Sequence, residues 1–187
     1  MKRDVIALIT IGGLAFFLFK KSDDQVIDHP AVQPPVRERV FRPIEPGSNE
    51  IEIASELVKR WEGFSNVVYI CAAGVETIGY GETDPAIVSK GYISEADAEK
   101  LLVNKLEQIR DDIQTEIEVP LNKNELAALI SFYYNLGESN FKNIARRINN
   151  GKIEEASEAI LLYDKCKGRP LDGLKKRRRD EHKLFNL

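Results

Sequence analysis

Cysteine and histidine are both scarce, with 2 of each in 187 residues. Cys71 and Cys166 are too few for a disulfide framework and lack the clustered Cys/His spacing of a zinc site. They can pair only in an oxidising compartment. His29 lies in a proline-rich stretch and His182 near the end of the chain, so neither a histidine triad nor a histidine metal site is supported. An excess of one charge is missing too. Lys and Arg number 27 against 30 Asp and Glu, a net charge of -3 that does not argue for nucleic acid. There is no internal repeat. The length fits one domain with accessory segments rather than two large domains.

What is present begins with an uncharged run from Val5 to Phe19, bracketed by Lys2 and Arg3 before it and Lys20 and Lys21 after it. We read residues 1–21 as a membrane-directed signal-anchor helix. The run is shorter than the roughly 20 apolar residues a spanning helix needs, although flanking Lys and Arg extend its reach. Thr10, Gly12 and Gly13 dilute it further, so it holds a bilayer weakly. No small-x-small cleavage site follows Phe19 before KKSDD, which favours an uncleaved anchor over a removed signal peptide. Basic residues are balanced across the run and do not orient it. Residues 22–48 carry Pro30, Pro34, Pro35, Pro43 and Pro46 without helical or strand period, as a tether does. The folded domain is expected over residues 49–187.

Within it, Asn49 and Glu52 form a capping-box start. Ile51, Ala54, Leu57, Val58 and Trp61 then share a helical face until Gly63. This helix delivers Glu62 to a tight hairpin made of VVYI, a small-residue turn at Ala72, Ala73 and Gly74, and a second strand from Thr77 to Tyr80. Ser94 with Asp97 opens a long helix striped by Ala98, Leu101, Leu102, Leu106, Ile109 and Ile113. Asn122 with Glu125 caps another, ended by Gly137. Shorter helices are expected around residues 143–149 and 153–162, and a last one from about Leu171 to Phe185. The fold class expected is α+β, mostly helical, with a small antiparallel hairpin lobe.

The spacing E-x8-C-x5-T at Glu62, Cys71 and Thr77, set in WEGF and AAGVETIGYG, resembles the T4-type phage lysozymes of glycoside hydrolase family 24. That family's motif has Glu, then Asp or sometimes Cys, then Thr. GYISEADAEKLL, SFYYNLG, RRINNGK and GRPLDGLKKRRRDEHKLF resemble further family segments in the same order, over about residues 50–187. The resemblance implies a lysozyme-like domain acting as an endolysin or muramidase on the β-1,4 bond between N-acetylmuramic acid and N-acetylglucosamine in peptidoglycan. Glu62, Cys71 and Thr77 would be its catalytic residues. It implies no cofactor, and a monomer is the default.

The residues agree with that chemistry. Glycosidic cleavage needs a proton for the leaving oxygen and a group that activates water or stabilises an oxocarbenium-like centre. A carboxyl at the end of an apolar helix, partly desolvated against a hairpin, suits the first task, which makes Glu62 the candidate general acid. Cys71 stands where Asp is commoner. Thiolate base, nucleophile and water-placing group all stay open for it, because an ordinary thiol is mostly neutral at pH 7. Thr77 can orient a water through its hydroxyl. Tyr134 and Asn135 are candidate saccharide contacts, while Glu76, Glu82 and Asp84 read as solvated turn residues. Lys175 to Arg179 read as a solvated cationic face drawn to an anionic cell wall rather than a nucleic-acid site.

A peptidoglycan substrate orients the anchor. It puts residues 22–187 in the periplasm, tied to the host inner membrane through residues 5–19, and the weak apolar run resembles a signal-arrest-release segment. In that compartment a regulatory disulfide between Cys71 and Cys166 would block the active-site thiol. The Cys71 departure also leaves open a lytic transglycosylase, or a non-enzymatic peptidoglycan-binding or virion protein with this fold.

Overall fold

The computed structural model describes residues 5–11, 14–19, 47–71, 74–166 and 168–187. The tether through residue 46 and the turn residues Ala72 and Ala73 lie outside the described residues. The helix expected over residues 1–21 is not shown; within that stretch Val5–Ile11 (β1) and Leu14–Phe19 (β2) pair antiparallel, with Leu8 opposite Phe17. The sequence contains the reason. Val5, Ile6, Ile9, Thr10 and Ile11 are β-branched, Phe16, Phe17 and Phe19 are aromatic, and Gly12-Gly13 is a two-residue hairpin signal. No helix among the described residues is long and apolar enough to cross a membrane.

The domain starts with helix α1, Glu50–Glu62. Asn49 Oδ1 accepts from the Glu52 N–H at 2.9 Å while Glu52 Oε2 accepts from the Asn49 N–H at 3.0 Å, so the expected capping box is formed. Ile51, Ala54, Leu57, Val58 and Trp61 are buried, and that burial fixes the rotation of the helix and hence the heading of Glu62. Ion pairs from Lys59 to Glu99 (2.9 Å) and from Arg60 to Asp180 (3.4 Å) tie the last turn sideways. Both are partly exposed and contribute little energy.

Strands Ser65–Ile70 (β3) and Glu76–Gly79 (β4) make the antiparallel hairpin, with Tyr69 opposite Thr77 and Ile70 opposite Glu76. A short helix α2, Pro85–Val88, follows, its N-terminus capped by Asp84. Helix α3, Glu95–Glu116, then runs from this small lobe to the rest of the domain, burying Ala98, Leu102, Leu106, Ile109 and Ile113 along one stripe.

The core is built around α4, Lys123–Asn149, against which α1, α3, α5 (Ile153–Ile160) and α6 (Asp172–Phe185) all pack. Ala127, Ala128, Leu129, Ile130, Phe132, Ile144, Ala145 and Ile148 have no exposed surface; the run from Leu126 to Phe132 is buried all round, while the part after Gly137 keeps an exposed face. Gly137 marks the expected helix end in another form. At φ 75°, ψ 171° it kinks α4, and the chain resumes its helical course at once. The pair Lys165–Cys166 (β5) and Arg169–Pro170 (β6), too short to leave a period in the sequence, forms a third small hairpin before α6. The arrangement is α+β and mostly helical, each sheet having two strands.

The cationic face expected on α6 is only partly solvated. Lys176 and Arg179 point outward, but Arg177 and Arg178 have no exposed surface. At the other end of the domain, replacing Asn49 with Ala removes the acceptor that starts α1. It should lower stability by about 1 kcal/mol in urea unfolding, with turnover unchanged.

Candidate active site

Glu62, the last residue of α1, is 3% exposed. Its Oε1 accepts from Arg177 Nη1 at 2.8 Å, with both side chains almost wholly buried. The desolvation anticipated for this carboxyl is present, and so is a counter-charge that was not anticipated. Its other oxygen lies next to Gly81, where an added Cβ would sit 3.8 Å from Oε2 and 3.5 Å from the Tyr134 hydroxyl. Gly81 has φ 104°, a left-handed conformation that also favours glycine. The backbone passes so close to the carboxyl because no side chain intervenes.

The hairpin supplies the opposite wall. Tyr69 and Thr77 are cross-strand partners and Cys71 follows two residues after Tyr69, so all three share a face, and all three are buried. The Val75 carbonyl accepts both from the Cys71 N–H at 2.9 Å and from the Thr77 hydroxyl at 3.0 Å. Thr77 therefore has its proton engaged and presents oxygen lone pairs to its surroundings. Burial, with the charges of Glu62 and Cys71 close by, pushes the Tyr69 phenol above its ordinary range.

Tyr134 reaches across from α4. Its hydroxyl donates to the Tyr80 carbonyl at 2.9 Å, joining the helical lobe to the chain just after β4. Burial, followed by the nearby charges of Glu62 and Glu82, raises its phenol well above the usual value against the opposing effect of Arg177. Asn135 is placed differently from the expectation. It has no exposed surface, and its Oδ1 accepts from Arg178 Nη2 at 2.9 Å, so it faces α6 rather than a bound sugar. Glu82 is half-buried and accepts from the N–H groups of Thr83 and Asp84, both at 2.7 Å, closing the turn after the hairpin.

A cleft of about 550 Å³ opens beside this cluster, lined by Tyr80, Gly81 and Glu82 on one side, Leu101 and Lys105 of α3 below, and Tyr134 and Gly137 on the other. Gly81 lines the cleft and lies beside Glu62, while Glu62, Cys71 and Thr77 themselves sit behind the lining residues. Cys71 and Cys166 are free thiols, the first buried after β3 and the second half-buried in β5, so the anticipated disulfide is not formed in this structure. Among the described residues no group of three or more His, Cys, Asp or Glu could hold a metal ion.

Arg177 and Arg178 were not singled out from the sequence as site residues, and neither was Glu181. Their spacing, R-R-x-x-E, carries the signal: it puts Glu181 within helical reach of both arginines. Burial works against the Arg177 charge, but Glu62 and Glu181 beside it hold its pKa above the ordinary value. For Arg178 burial wins, with repulsion from Arg177, and its pKa falls to about 10 despite Glu181.

A two-lobed, mostly helical domain with a buried carboxyl at the cleft edge, facing a small hairpin, has the architecture of a lysozyme-type glycoside hydrolase. The chain belongs to the phage lysozyme family, whose profile matches residues 59–181. The endolysin of Salmonella phage P22 is 36% identical over 134 residues, covering 68% of this chain and 91% of that protein. A solved P22 lysozyme mutant aligns with a TM-score of 0.64 at 33% identity, over 72% of this chain and 95% of the other. The SAR-endolysin of Bacteriophage PS119 is 31% identical over 159 residues, 81% of this chain and 94% of its own. The muramidase domain of SpmX from Asticaccaulis excentricus aligns with a TM-score of 0.64 at 30% identity, covering 72% and 95%.

Replacing Arg177 with Met leaves the Glu62 and Glu181 carboxylates buried with Arg178 as their nearby cation. Stability should drop by about 3–5 kcal/mol in urea unfolding, and adding Glu62→Gln should recover part of the loss.

Proposed function

We propose that this phage lysozyme hydrolyses the β-1,4 bond between N-acetylmuramic acid and N-acetylglucosamine, with Glu62 as general acid and Cys71 and Thr77 handling the water. Shared lining carries the reading: Gly81 borders both the cleft and the Glu62 carboxyl. A glycan strand in the groove then brings its glycosidic oxygen to Glu62, which gives that oxygen its proton as the bond to the anomeric carbon breaks. Water adds its oxygen to that carbon and gives up a proton to solvent, from which the Glu62 carboxylate is reprotonated. The products together contain one added water.

The donor already committed at Thr77 gives the role of that residue its direction. With its own proton on the Val75 carbonyl, the hydroxyl accepts a proton-side contact from water and turns the water's lone pair away from itself. Cys71 is held next to it by the same carbonyl. Asn135 acts from behind by fixing Arg178, whereas Tyr134 lines the groove directly.

Product mass analysis tests the reaction. Purified chain acting on peptidoglycan should release fragments with reducing ends, and Glu62→Gln should cut turnover by about 100-fold or more. An anhydro end identifies a lytic transglycosylase instead, and absence of cleavage identifies a binding protein.

For the amino terminus we propose a weak membrane anchor that delivers the domain to the periplasm and later releases it. The named SAR-endolysin relative supports this, together with the apolar run of residues 5–19 between basic flanks. A two-stranded hairpin leaves backbone groups unpaired along both edges, which lipid does not satisfy, so a bilayer selects the helical form of the run. Gly12→Leu with Gly13→Leu raises both helix propensity and apolarity there. Host lysis should be delayed and more protein retained in membrane fractions; unchanged timing and retention would overturn the release reading.

A further inference from the structure

We propose that Glu181 is a positioning residue for the reaction, acting through Arg177 to fix the Glu62 carboxyl; the proposal rests on Glu62 being the acid. The geometry is a relay of held groups. Each nitrogen of the Arg177 guanidinium is engaged: Nη1 donates to Glu62 at 2.8 Å, Nε to Glu181 at 3.1 Å, and Nη2 to the Ser131 carbonyl at 3.3 Å. Three directions fix a planar group completely. Glu181 in turn is immobilised. Its Oε1 accepts from Ser131 Oγ at 2.8 Å and Arg178 Nη2 at 3.0 Å, and its Oε2 lies 2.9 Å from Arg178 Nε. Arg178 is anchored by Asn135 Oδ1 and lies over the Phe132 ring, 5.1 Å from its centroid.

Ser131, Phe132 and Asn135 occupy one face of α4, and Arg177, Arg178 and Glu181 one face of α6. The interface between these helices is therefore registered to the orientation of one guanidinium, and that guanidinium to the acid. The cluster sets two guanidinium groups against two carboxyl groups. A charge-neutral apolar interface would join the helices equally well. What the ionic one adds is direction at Glu62. The groups next to Glu62 are Arg177 from α6, Tyr69 from the hairpin and Tyr134 from α4, with Glu82 near Tyr134 and Cys71 near Tyr69. Those facing Glu181 are Arg177, Arg178 and Ser131.

Steady-state kinetics of the full chain on purified peptidoglycan test this. Glu181→Gln should lower kcat by about 10-fold or more while KM stays within about two-fold, because misplacement of the acid is felt in the chemical step. The uncompensated positive charge should also move the basic limb of the pH–kcat profile to lower pH, since an acid facing added positive charge loses its proton sooner. Glu181→Asp, which keeps the charge on a shorter arm, should restore the limb and part of kcat. A second variant separates orientation from charge. Arg178→Met with Glu181→Gln removes one buried cation together with one buried carboxylate, so it serves as the test where the single change does not fold, and its limb should return while kcat stays low.

A folded Glu181→Gln with wild-type kcat and pH profile overturns the proposal. So does a double variant with wild-type kcat, which would reduce Glu181 to a counter-ion. If Glu62→Gln keeps its activity, the assignment of the acid fails instead, whatever Glu181 does.

Discussion

The contact between Glu62 and Arg177 joins the ends of the domain. One partner closes the first helix and the other lies in the last, yet they meet at 2.8 Å with almost no solvent on either side. Removing two charges from water costs several kcal/mol per ion, and only good geometry with further hydrogen bonds offsets that. The rest of the cluster supplies those bonds. The same contact also imposes an order of dependence: the Glu62 carboxyl takes its final surroundings only when α6 has docked against α4. A carboxyl at the end of α1 alone would be a solvated helix terminus.

Helix α4 is the common surface on which this happens. Its buried small and aliphatic residues let α1, α3, α5 and α6 approach from different sides, and its polar positions sort themselves by direction. Ser131 and Asn135 face α6, while Tyr134 turns to the cleft and crosses to the Tyr80 carbonyl. One short segment thus serves both the ionic cluster around Glu62 and the groove. The kink at Gly137 closes this segment, so the groove borders a change of helix direction instead of a continuous helical wall.

Local chemistry made much of this legible in the sequence. Asn49, Ser94 and Asn122 announce their helices because N-caps act over three residues, and the hairpin is visible through its own residues and turn. The place of Glu62 at the end of α1, beside the hairpin, was legible from the helical face that ends at Trp61 and from Gly63 after it. Missing were the facts decided by distant packing. Arg177 and Arg178 looked like part of a basic surface run, because a run of like charges says nothing about which members have carboxylates waiting on other helices. Asn135 looked like a ligand contact for the related reason that an amide's direction depends on the neighbour it finds. The β5–β6 hairpin was too short to carry a pattern at all. In residues 5–19 two tendencies compete, helix by apolar length and hairpin by β-branching around Gly12-Gly13, and the solvent decides between them.

The Val75 carbonyl, which receives both the Cys71 N–H and the Thr77 hydroxyl, has a consequence for how this site can change over time. The bond to residue 71 comes from its main chain, so the location of that residue does not depend on the side chain it carries. A sulfur or a carboxylate can stand there without the hairpin having to be rebuilt. The position is thereby open to chemical substitution, and a lineage can exchange the side chain at residue 71 while inheriting its placement unchanged.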